Sequence, residues 1–389
     1  MFPIITVDGP PFERGRQYGA ASAALIRHSI ASYARLFAYR RGLDWAASRE
    51  EALSYRPILA DVAPHLLEEM AGIAAGAALE LGDIVALNVR TELMAGVASG
   101  VYHPDRAAAL ARNRAAGVPE HQDTPVTARS GQPIDDGECT TAVALPVATA
   151  NGTTLLAQTW DWSGDQRAAC VLLRVREAGK PTILTITEAG IVAKIGMNSA
   201  GVAVSLNLLR SHADGKEPGM PVHILLRLML EAESFAQALA LAGRLPAASS
   251  SCITLAGAGG DALSLELTPG ALGLVSADDG LLAHANHCVD QAAAAGECPI
   301  DPISTSGERA GRAWDLLRAA RGSISVATMQ SLLRDREGAP RCICRTPDLS
   351  LHPIDRGESV LGVIMEVGRG VMHVAPGVPC EVEFEAVSL

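Results

Sequence analysis

The sequence has 389 residues, of which 48% are hydrophobic and 19% charged, a balance typical of a folded globular protein rather than a disordered chain. This length is enough to bury a stable core without disulfide bonds. The formal net charge of -11 and the aromatic content of 4% exclude the basic, aromatic-rich surface of a nucleic-acid-binding protein.

Apolar side chains recur at helical spacing through residues 11–98. Ala, Leu, Ile and Met stand three and four residues apart in Ala20–Phe37 and again in Glu51–Leu81, which predicts helices with a buried face. Gly72 and Gly76 lie within the second stretch, where their small size suits close helix packing. We therefore expect this part of the chain to be mainly helical.

Residues 100–138 differ from the helical stretch before them. They are rich in Ala, Arg, Pro, Asp and Gly and poor in apolar side chains, which predicts a loop with at most one short helix. A loop of this length inside a compact chain is usually functional or mobile. We expect a mobile linker here.

The sequence becomes strand-like after Cys139. Short Val, Ile, Leu and Thr runs separated by turn signals predict strands at 141–147, 153–162, 168–175, 181–187, 191–197 and 201–209. Helices are expected at Pro221–Ala242, Glu308–Ala320 and Ala327–Asp335, with further strands at Cys252–Leu255, Leu263–Leu267, 361–367, 370–376 and 381–387. Strands, then paired helices, then strands again favour helix layers packed on antiparallel sheets over a βαβ repeat.

Several common features are missing from the sequence. Neither GxGxxG nor GxxxxGK[ST] follows a strand, so we expect no nucleotide cofactor. The longest uncharged run is too polar to span a bilayer, and the first residues lack the features of a secretory signal, so we expect a cytoplasmic protein without a membrane partner. The eight cysteines are scattered without a framework spacing, which predicts free thiols.

Cys139 follows directly on the polar sequence DDGE and begins a predicted strand. If the peptide bond before it were cut, Cys139 would carry both a thiol and a free α-amine. Such an amine has a pKa of about 7.7–8.0, so it can accept the thiol proton near neutral pH without a histidine. A small buried strand residue is the competing interpretation.

Asp161 lies in an uncharged strand between two tryptophans, Trp160 and Trp162. Burying a carboxylate there is costly unless a cation or N–H donors meet it. The residue therefore predicts either a structural ion pair or turn cap, or a group with a role in chemistry.

His284, His287 and Cys288 lie close together in the sequence. No HExxH signature accompanies them, and Cys342 and Cys344 are too close for a usual zinc knuckle, so we expect no metal. Either histidine can instead be the base of an unprocessed hydrolase with a cysteine nucleophile. From the residues alone this alternative stays open.

Ten segments spread over nearly the whole chain resemble the isopenicillin N acyltransferase family of N-terminal nucleophile hydrolases. Their order matches the family throughout. They are PFERGRQYG, EMAGIAAGA, LNVRTEL, GECTTAVALP, the Trp160–Asp161–Trp162 triplet, EAGIVAKIGMNSAGVAVSLN, PVHILLRLMLEA, HANH, SGERAGR and GVMHVAPGVPCE.

The resemblance implies an α+β fold, a four-layer αββα sandwich of two antiparallel sheets between helix layers. It also implies a precursor that cuts itself at Glu138–Cys139, giving a small subunit 1–138 and a large subunit 139–389. The acyltransferase that names the family has glycine before its cysteine, whereas this chain has Glu138. Thr141, two residues along the same strand face, is expected to hydrogen-bond the charge that develops during cleavage.

The resemblance also assigns roles to charged residues. Asp161 matches the family's aspartate that orients the amine and thiol of the cysteine. Arg309, in SGERAGR, matches the active-site arginine and is expected to pair with Asp161 or with the thiolate, which a nearby cation favours. Arg312, one turn further along the predicted helix, is the alternative for this role.

Polar and aromatic residues complete the implied site. Asn286 matches the oxyanion-hole asparagine, whose N–H groups donate to the oxygen that becomes negative in the tetrahedral intermediate; the alternative is a turn asparagine. Trp160 and Trp162 are candidates to line the substrate pocket. Asn88, Arg90 and Glu92, in LNVRTEL, also match the family; the simplest interpretation is a buried ion pair of Arg90 with Glu92, and a role in processing is the alternative.

We therefore expect a self-processing hydrolase or acyltransferase without cofactor or metal. Cys139 would attack an amide or thioester carbonyl of a small molecule and pass the acyl group to water or to an amine. The two cleaved fragments are expected to remain associated, and a homo-oligomer stays open. An unprocessed Cys/His hydrolase and a non-catalytic binding protein that kept the fold are the alternatives.

Overall fold

The computed structural model describes residues 1–95, 106–118, 139–216, 219–244 and 246–389. Within these ranges the chain forms helices α1–α12 and strands β1–β14. The helices are α1 (Pro11–Arg41), α2 (Trp45–Leu53), α3 (Arg56–Val62), α4 (Pro64–Ala77), α5 (Leu81–Asn88), α6 (Arg90–Ala95), α7 (Arg106–Ala115), α8 (Val222–Leu230), α9 (Phe235–Ala242), α10 (Gln291–Ala294), α11 (Ser306–Ala319) and α12 (Val326–Leu333). The strands are β1 (Ile4–Asp8), β2 (Cys139–Ala144), β3 (Leu155–Ser163), β4 (Cys170–Arg176), β5 (Ile183–Glu188), β6 (Ile195–Asn198), β7 (Val202–Leu208), β8 (Ser251–Gly257), β9 (Ala262–Thr268), β10 (Ala271–Ser276), β11 (Leu281–His284), β12 (Gly357–Glu366), β13 (Val371–Ala375) and β14 (Glu385–Ser388).

The strands form two sheets. The first sheet has the order β1-β4-β5-β6-β7-β8-β9-β10, and the second has the order β11-β2-β3-β12-β13-β14. All pairs are antiparallel except β1 with β4. Sequential strands are mostly neighbours, as expected for antiparallel sheets built through short turns.

The two sheets pack face to face between layers of helices. Strand β7 of the first sheet lies against β2 and β3 of the second, while α8 and α9 cover the first sheet and α11 and α12 cover the second. Every residue of β2, β5 and β8 is buried, because each sheet is covered on both faces. The expected α+β sandwich of two antiparallel sheets between helix layers is therefore confirmed.

Helices α1 and α4 cross in very close contact through glycines. A Cβ atom on Gly15 or Gly19 of α1 would lie 2.0 or 2.1 Å from a carbonyl oxygen of α4, and one on Gly72 or Gly76 would lie 2.0 or 2.2 Å from a carbonyl oxygen of α1. Only glycine lets the two backbones approach this closely. The packing role predicted for Gly72 and Gly76 is confirmed.

The structure refines several predicted elements. All six strands predicted after Cys139 are present, although β6 begins only at Ile195. The predicted helical stretch 51–81 contains breaks, because Pro57 and Pro64 occupy the first turns of new helices, where a missing N–H costs nothing. Strands β1 and β10 were not predicted.

Candidate active site

Cys139 begins β2, which lies between β11 and β3 in the second sheet. Its register pairs it directly with Trp160 of β3, so the two side chains are neighbours on one face of the sheet. Cys139 is buried, with 5% of its surface exposed. Glu138, the residue before the predicted cut, lies outside the described residues.

Three side chains hold the main-chain atoms of Cys139. Its N–H donates to Oδ1 of Asn286 at 2.7 Å. Its carbonyl oxygen accepts from Nη1 of Arg309 at 2.7 Å and from Nδ2 of Asn207 at 3.1 Å. The backbone of the predicted nucleophile is thus fixed on both its donor and its acceptor side.

Asn286 follows β11 and is held by several partners of its own. Its Nδ2 donates to the carbonyl oxygen of Leu208 at 2.9 Å, and its Oδ1 also accepts from Nη2 of Arg309 at 3.0 Å. Its backbone N–H donates to Oγ of Ser306, the first residue of α11. An amide nitrogen carries two hydrogens, so one remains beyond the bond to Leu208.

Arg309 is nearly fully buried, and it joins α11 to β2. Besides its bonds to Cys139 and Asn286, its Nη1 donates to Oγ1 of Thr140 at 2.8 Å. Arg312, the alternative assignment, points elsewhere and forms ion pairs with Asp335 and Glu337.

Thr141 is linked to Cys139 through Asn207 of the opposite sheet. Its Oγ1 donates to Oδ1 of Asn207 at 2.6 Å and lies 3.2 Å from Oγ of Ser205. The amide nitrogen of the same asparagine donates to the Cys139 carbonyl. No linear pattern shows that β7 faces β2 at this position, so the contact of Asn207 with Cys139 was not expected from the sequence.

Asp161 is completely buried, on the strand next to that of Cys139. Its Oδ1 accepts from Oγ of Ser359, the residue paired with it on β12, at 2.7 Å. Oγ of Ser359 accepts in turn from the backbone N–H of Arg345. Because neighbouring residues alternate across a strand, Asp161 points away from the face that carries Trp160 and Trp162.

The thiol of Cys139 lies in a mixed electrostatic environment. Burial raises its pKa to about 11, and the negative charge of Asp161 adds to this rise. The backbone N–H of Asp161 and the positive charges of Lys194 and Arg309 act in the opposite direction. The thiolate therefore depends on nearby cations.

Two of the buried cations near the site lie on the tryptophans of β3. Nζ of Lys194 is 3.0 Å from the centre of the Trp160 ring, and the guanidinium of Arg90 is 5.2 Å from the centre of the Trp162 ring. Both bind Glu188, Lys194 at 3.1 Å and Arg90 at 3.3 Å. We call Arg90, Glu188 and Lys194 the site ion cluster.

The site ion cluster contradicts the expected pairing of Arg90 with Glu92, and it contains one residue that the sequence did not suggest. Arg90 forms its buried ion pair with Glu188 rather than with Glu92, which accepts from the backbone N–H of Val222 at 2.8 Å. Lys194 was not among the site residues expected from the sequence. The available signal was composition, because the chain has lysine only at positions 180, 194 and 216, and position 194 lies in the apolar run IVAKIGM.

The two histidines are engaged away from the thiol. Nε2 of His284 pairs with Glu266 at 2.7 Å. Burial lowers the pKa of His284, but its neighbours Cys252 and Glu266 outweigh this and raise it to about 10, so the ring is a cation at neutral pH. Nδ1 of His287 contacts Oγ of Ser306 at 2.7 Å.

A cleft lies beside the site. Trp162 and Leu208 line it, together with the charged side chains of Arg40, Arg90 and Arg210. Leu208 is the residue whose carbonyl oxygen accepts from Asn286. The cleft therefore reaches Leu208, which is bonded to Asn286, one of the three side chains that hold Cys139.

The described ranges of the chain contain no group of three or more His, Cys, Asp or Glu side chains arranged to hold a metal ion. None of their helices combines the length and the apolar content that a bilayer span requires.

A family model and a known protein both match much of this chain. The family model described as acyl-coenzyme A:6-aminopenicillanic acid acyl-transferase matches residues 147–350. The chain is 30% identical over 370 residues to the 40 kDa form of acyl-coenzyme A:6-aminopenicillanic-acid-acyltransferase from Emericella nidulans, covering 94% of this chain and 90% of that protein.

Solved structures show weaker likeness. Penicillin V acylase from Agrobacterium tumefaciens is 14% identical, with a TM-score of 0.44 over 64% of this chain and 86% of that one. A variant of conjugated bile acid hydrolase from Clostridium perfringens is 10% identical, with a TM-score of 0.43 over 64% of this chain and 92% of that one.

Proposed function

Because the chain belongs to the acyl-coenzyme A:6-aminopenicillanic acid acyl-transferase family, we propose that it is a self-processing enzyme of amide hydrolysis or acyl transfer with Cys139 as its nucleophile. The observation that carries the proposal is the hydrogen bond from the Cys139 N–H to Oδ1 of Asn286 at 2.7 Å. This bond fixes the nitrogen that would become the free α-amine.

The first reaction would be the cut at Glu138–Cys139. The thiolate attacks the carbonyl carbon of Glu138, the C–N bond breaks, and the Cys139 nitrogen takes a proton. Water then hydrolyses the resulting thioester and frees the thiol. The bonds from Arg309 and Asn207 to the Cys139 carbonyl support this step, because they hold the strand while the preceding carbonyl is attacked.

The cut would divide the chain into fragments 1–138 and 139–389 that stay together. Asn88 of the first fragment donates to the carbonyl oxygen of Gly190 at 2.8 Å and accepts from the N–H of Val192 at 2.9 Å. Arg90 and Glu188 form a buried ion pair across the same boundary. One apolar core includes residues of both fragments, so separating them would expose it to water.

In turnover, the free α-amine of Cys139 would take the thiol proton, and the thiolate would attack the substrate carbonyl. The remaining hydrogen on Nδ2 of Asn286 is the oxyanion donor that we assign. Removing one such donor typically costs about 3 kcal/mol of barrier lowering. Asp161 acts on the thiol through its charge and its backbone N–H.

The acyl acceptor decides between hydrolase and transferase. The cleft beside Trp162 would hold the substrate, a small molecule with an amide or thioester carbonyl. Water reaches most open sites, so hydrolysis is the expected reaction unless an amine is bound in the cleft. A panel of amides and thioesters, assayed with and without an added amine, distinguishes the two outcomes by product mass.

The Cys139→Ala variant tests the proposal. We expect a folded, full-length, inactive chain, with Cys298→Ala, a half-buried cysteine, as the matched control that is cut and active. A Cys139→Ala protein that is still cut at the same bond, or that retains activity on the panel, would refute the proposal. An uncut but fully active wild-type chain would favour the Cys/His alternative.

A further inference from the structure

Lys194 occupies a position that self-cleavage as described above does not use. Its side chain is 2% exposed, and its Nζ lies over the Trp160 ring, the direct strand partner of Cys139. Paired residues on neighbouring antiparallel strands have Cβ atoms about 5 Å apart. The ammonium group is therefore held on the side chain adjacent to the nucleophile.

Charged and titratable groups meet this region from every element packed around it. Glu188 of β5 and Arg90 of α6 belong to the site ion cluster, and Tyr33 of α1 donates to Glu188. His223 of α8 is neutral, because burial and the charge of Arg90 hold its pKa well below the usual value.

Further groups belong to the second sheet, to helix α11 that covers it, and to β4 beside β5. Asp161 of β3 and Arg309 of α11 act on the thiol, and Cys170 of β4 is a buried thiol whose pKa burial raises above its usual range. Burial and the charge of Arg90 lower the pKa of Lys194, and Glu188 and the Cys139 thiolate oppose this effect. The net result is a pKa lowered to about 7. The lysine and the nucleophile are thus electrostatically linked.

The uncut chain has a specific need for such a cation. Before cleavage the nitrogen of Cys139 is part of a peptide bond, so it has no basic lone pair to help ionise the thiol. We propose that Lys194 is a positioning residue for self-cleavage, whose ammonium, held on Trp160 by Glu188, stabilises the Cys139 thiolate before the cut. This inference rests on the proposed self-processing.

The step balances without any further reactant than water. The Cys139 S–H bond breaks, its proton goes to solvent, and the sulfur becomes an anion paired with the Lys194 ammonium. The sulfur then forms a C–S bond with Glu138 as the C–N bond breaks, and the nitrogen takes a proton from solvent. Hydrolysis of the thioester consumes one water, releases the Glu138 carboxylate and restores the thiol.

Cell-free synthesis allows the cut to be followed in time by gel, and peptide mapping gives the alkylation rate of Cys139 against pH. We expect Lys194→Met to slow the cut about tenfold or more and to lower the alkylation rate of Cys139 at and below about pH 7, where Lys194 still carries its proton, by about tenfold, which corresponds to a tenfold smaller thiolate fraction. Lys194→Arg keeps the charge and should stay within about threefold of wild type. Lys180→Met, at an exposed lysine, is the matched control.

The two variants separate charge from packing. Wild-type cleavage and alkylation in Lys194→Met would overturn the inference. So would equal losses in Lys194→Met and Lys194→Arg at an unchanged alkylation rate near pH 7, since these would indicate a packing role. If wild type itself is never cut, the proposed function fails, while the alkylation rates near pH 7 still decide whether Lys194 acts on the thiol.

A second measurement needs no substitution at a buried position. Because the chain has only three lysines, ¹⁵N-lysine labelling gives three side-chain signals, which can be titrated individually. Blocking Cys139 with a methylthio group removes the thiolate and should lower the Lys194 midpoint, and a reductant should restore it. An identical midpoint before and after blocking would overturn the inference.

Discussion

Two buried ion clusters of this structure differ in what lies beside them. In the first, Glu69 of α4 accepts from Arg14 at 2.6 Å and from both terminal nitrogens of Arg227 at 3.0 and 2.9 Å. We call these three residues the fold ion cluster. In the second, the site ion cluster, Glu188 binds one arginine and one lysine.

The difference lies in the type of cation and in its neighbours. Arginine stays charged and binds carboxylates in a planar fork, which suits the fold ion cluster at the crossing of α1 and α4. A buried lysine responds to its surroundings, and Lys194 lies on the tryptophan next to Cys139. Similar ion clusters can thus serve the fold in one place and the chemistry in another.

The largest expected effect comes from the fold ion cluster. Arg227→Ala removes two of the three hydrogen bonds given above for Glu69 and leaves this carboxylate buried with Arg14. We therefore expect the free energy of unfolding to fall by about 3–5 kcal/mol. Urea unfolding measures this, with Arg16→Ala, at an exposed ion pair, expected to unfold at the wild-type midpoint. An Arg227→Ala protein whose Cys139 alkylation rate near pH 7 falls as it does in Lys194→Met would contradict this difference between the two clusters.

Asn286→Ala should act on the rate of turnover rather than on the free energy of unfolding. The chain is still expected to be cut, but turnover should fall about 100-fold, because the loss of one oxyanion donor costs about 3 kcal/mol. The initial rate on the best amide of the panel measures this effect. Asn151→Ala, at an exposed turn, is the control, and normal turnover in Asn286→Ala would refute the oxyanion assignment.

The pH dependence of stability tests whether Lys194 behaves unlike an arginine. Its pKa falls from 10.5 to about 7 on folding, so between these values the unfolded chain holds a proton that the folded chain has lost. Stability should therefore rise with pH from 7 to 9, by at most about 1.4 kcal/mol per pH unit. Parallel curves for wild type and Lys194→Met, measured by urea unfolding, would contradict this.

The smallest effect is expected at Thr141. Thr141→Val removes the hydrogen bond to Asn207 while keeping the shape of the side chain, which should slow the cut about fivefold to tenfold, or about 1 kcal/mol. The rate is read from the same gel assay. Thr254→Val, which loses a similar buried bond to Ser264, should be cut at the wild-type rate, and equal slowing in both variants would exclude a local role.

The sequence predicted most of the fold, and its errors have local causes. Strands such as β5 and β8 are buried on both faces, and their runs of Ile, Leu and Thr are easy to detect. The edge strand β10 has one buried residue, Gly273, among its six positions and resembles a loop. Prolines break the long helical stretch, a signal that was present but outweighed by its periodicity.

The site was predictable only where a motif carries it. Cys139, Asn286 and Arg309 lie in recognised segments, and the structure brings all three together. Asn207 and Lys194 lie in recognised segments too, but their contacts depend on how one sheet faces the other. No linear pattern encodes that register.

Intact mass and N-terminal sequencing of an active preparation test the central claim most directly. We predict two chains, the larger one beginning at Cys139, and loss of activity when that thiol is alkylated. A single active chain that begins at Met1, with activity that survives the same alkylation, would contradict the account.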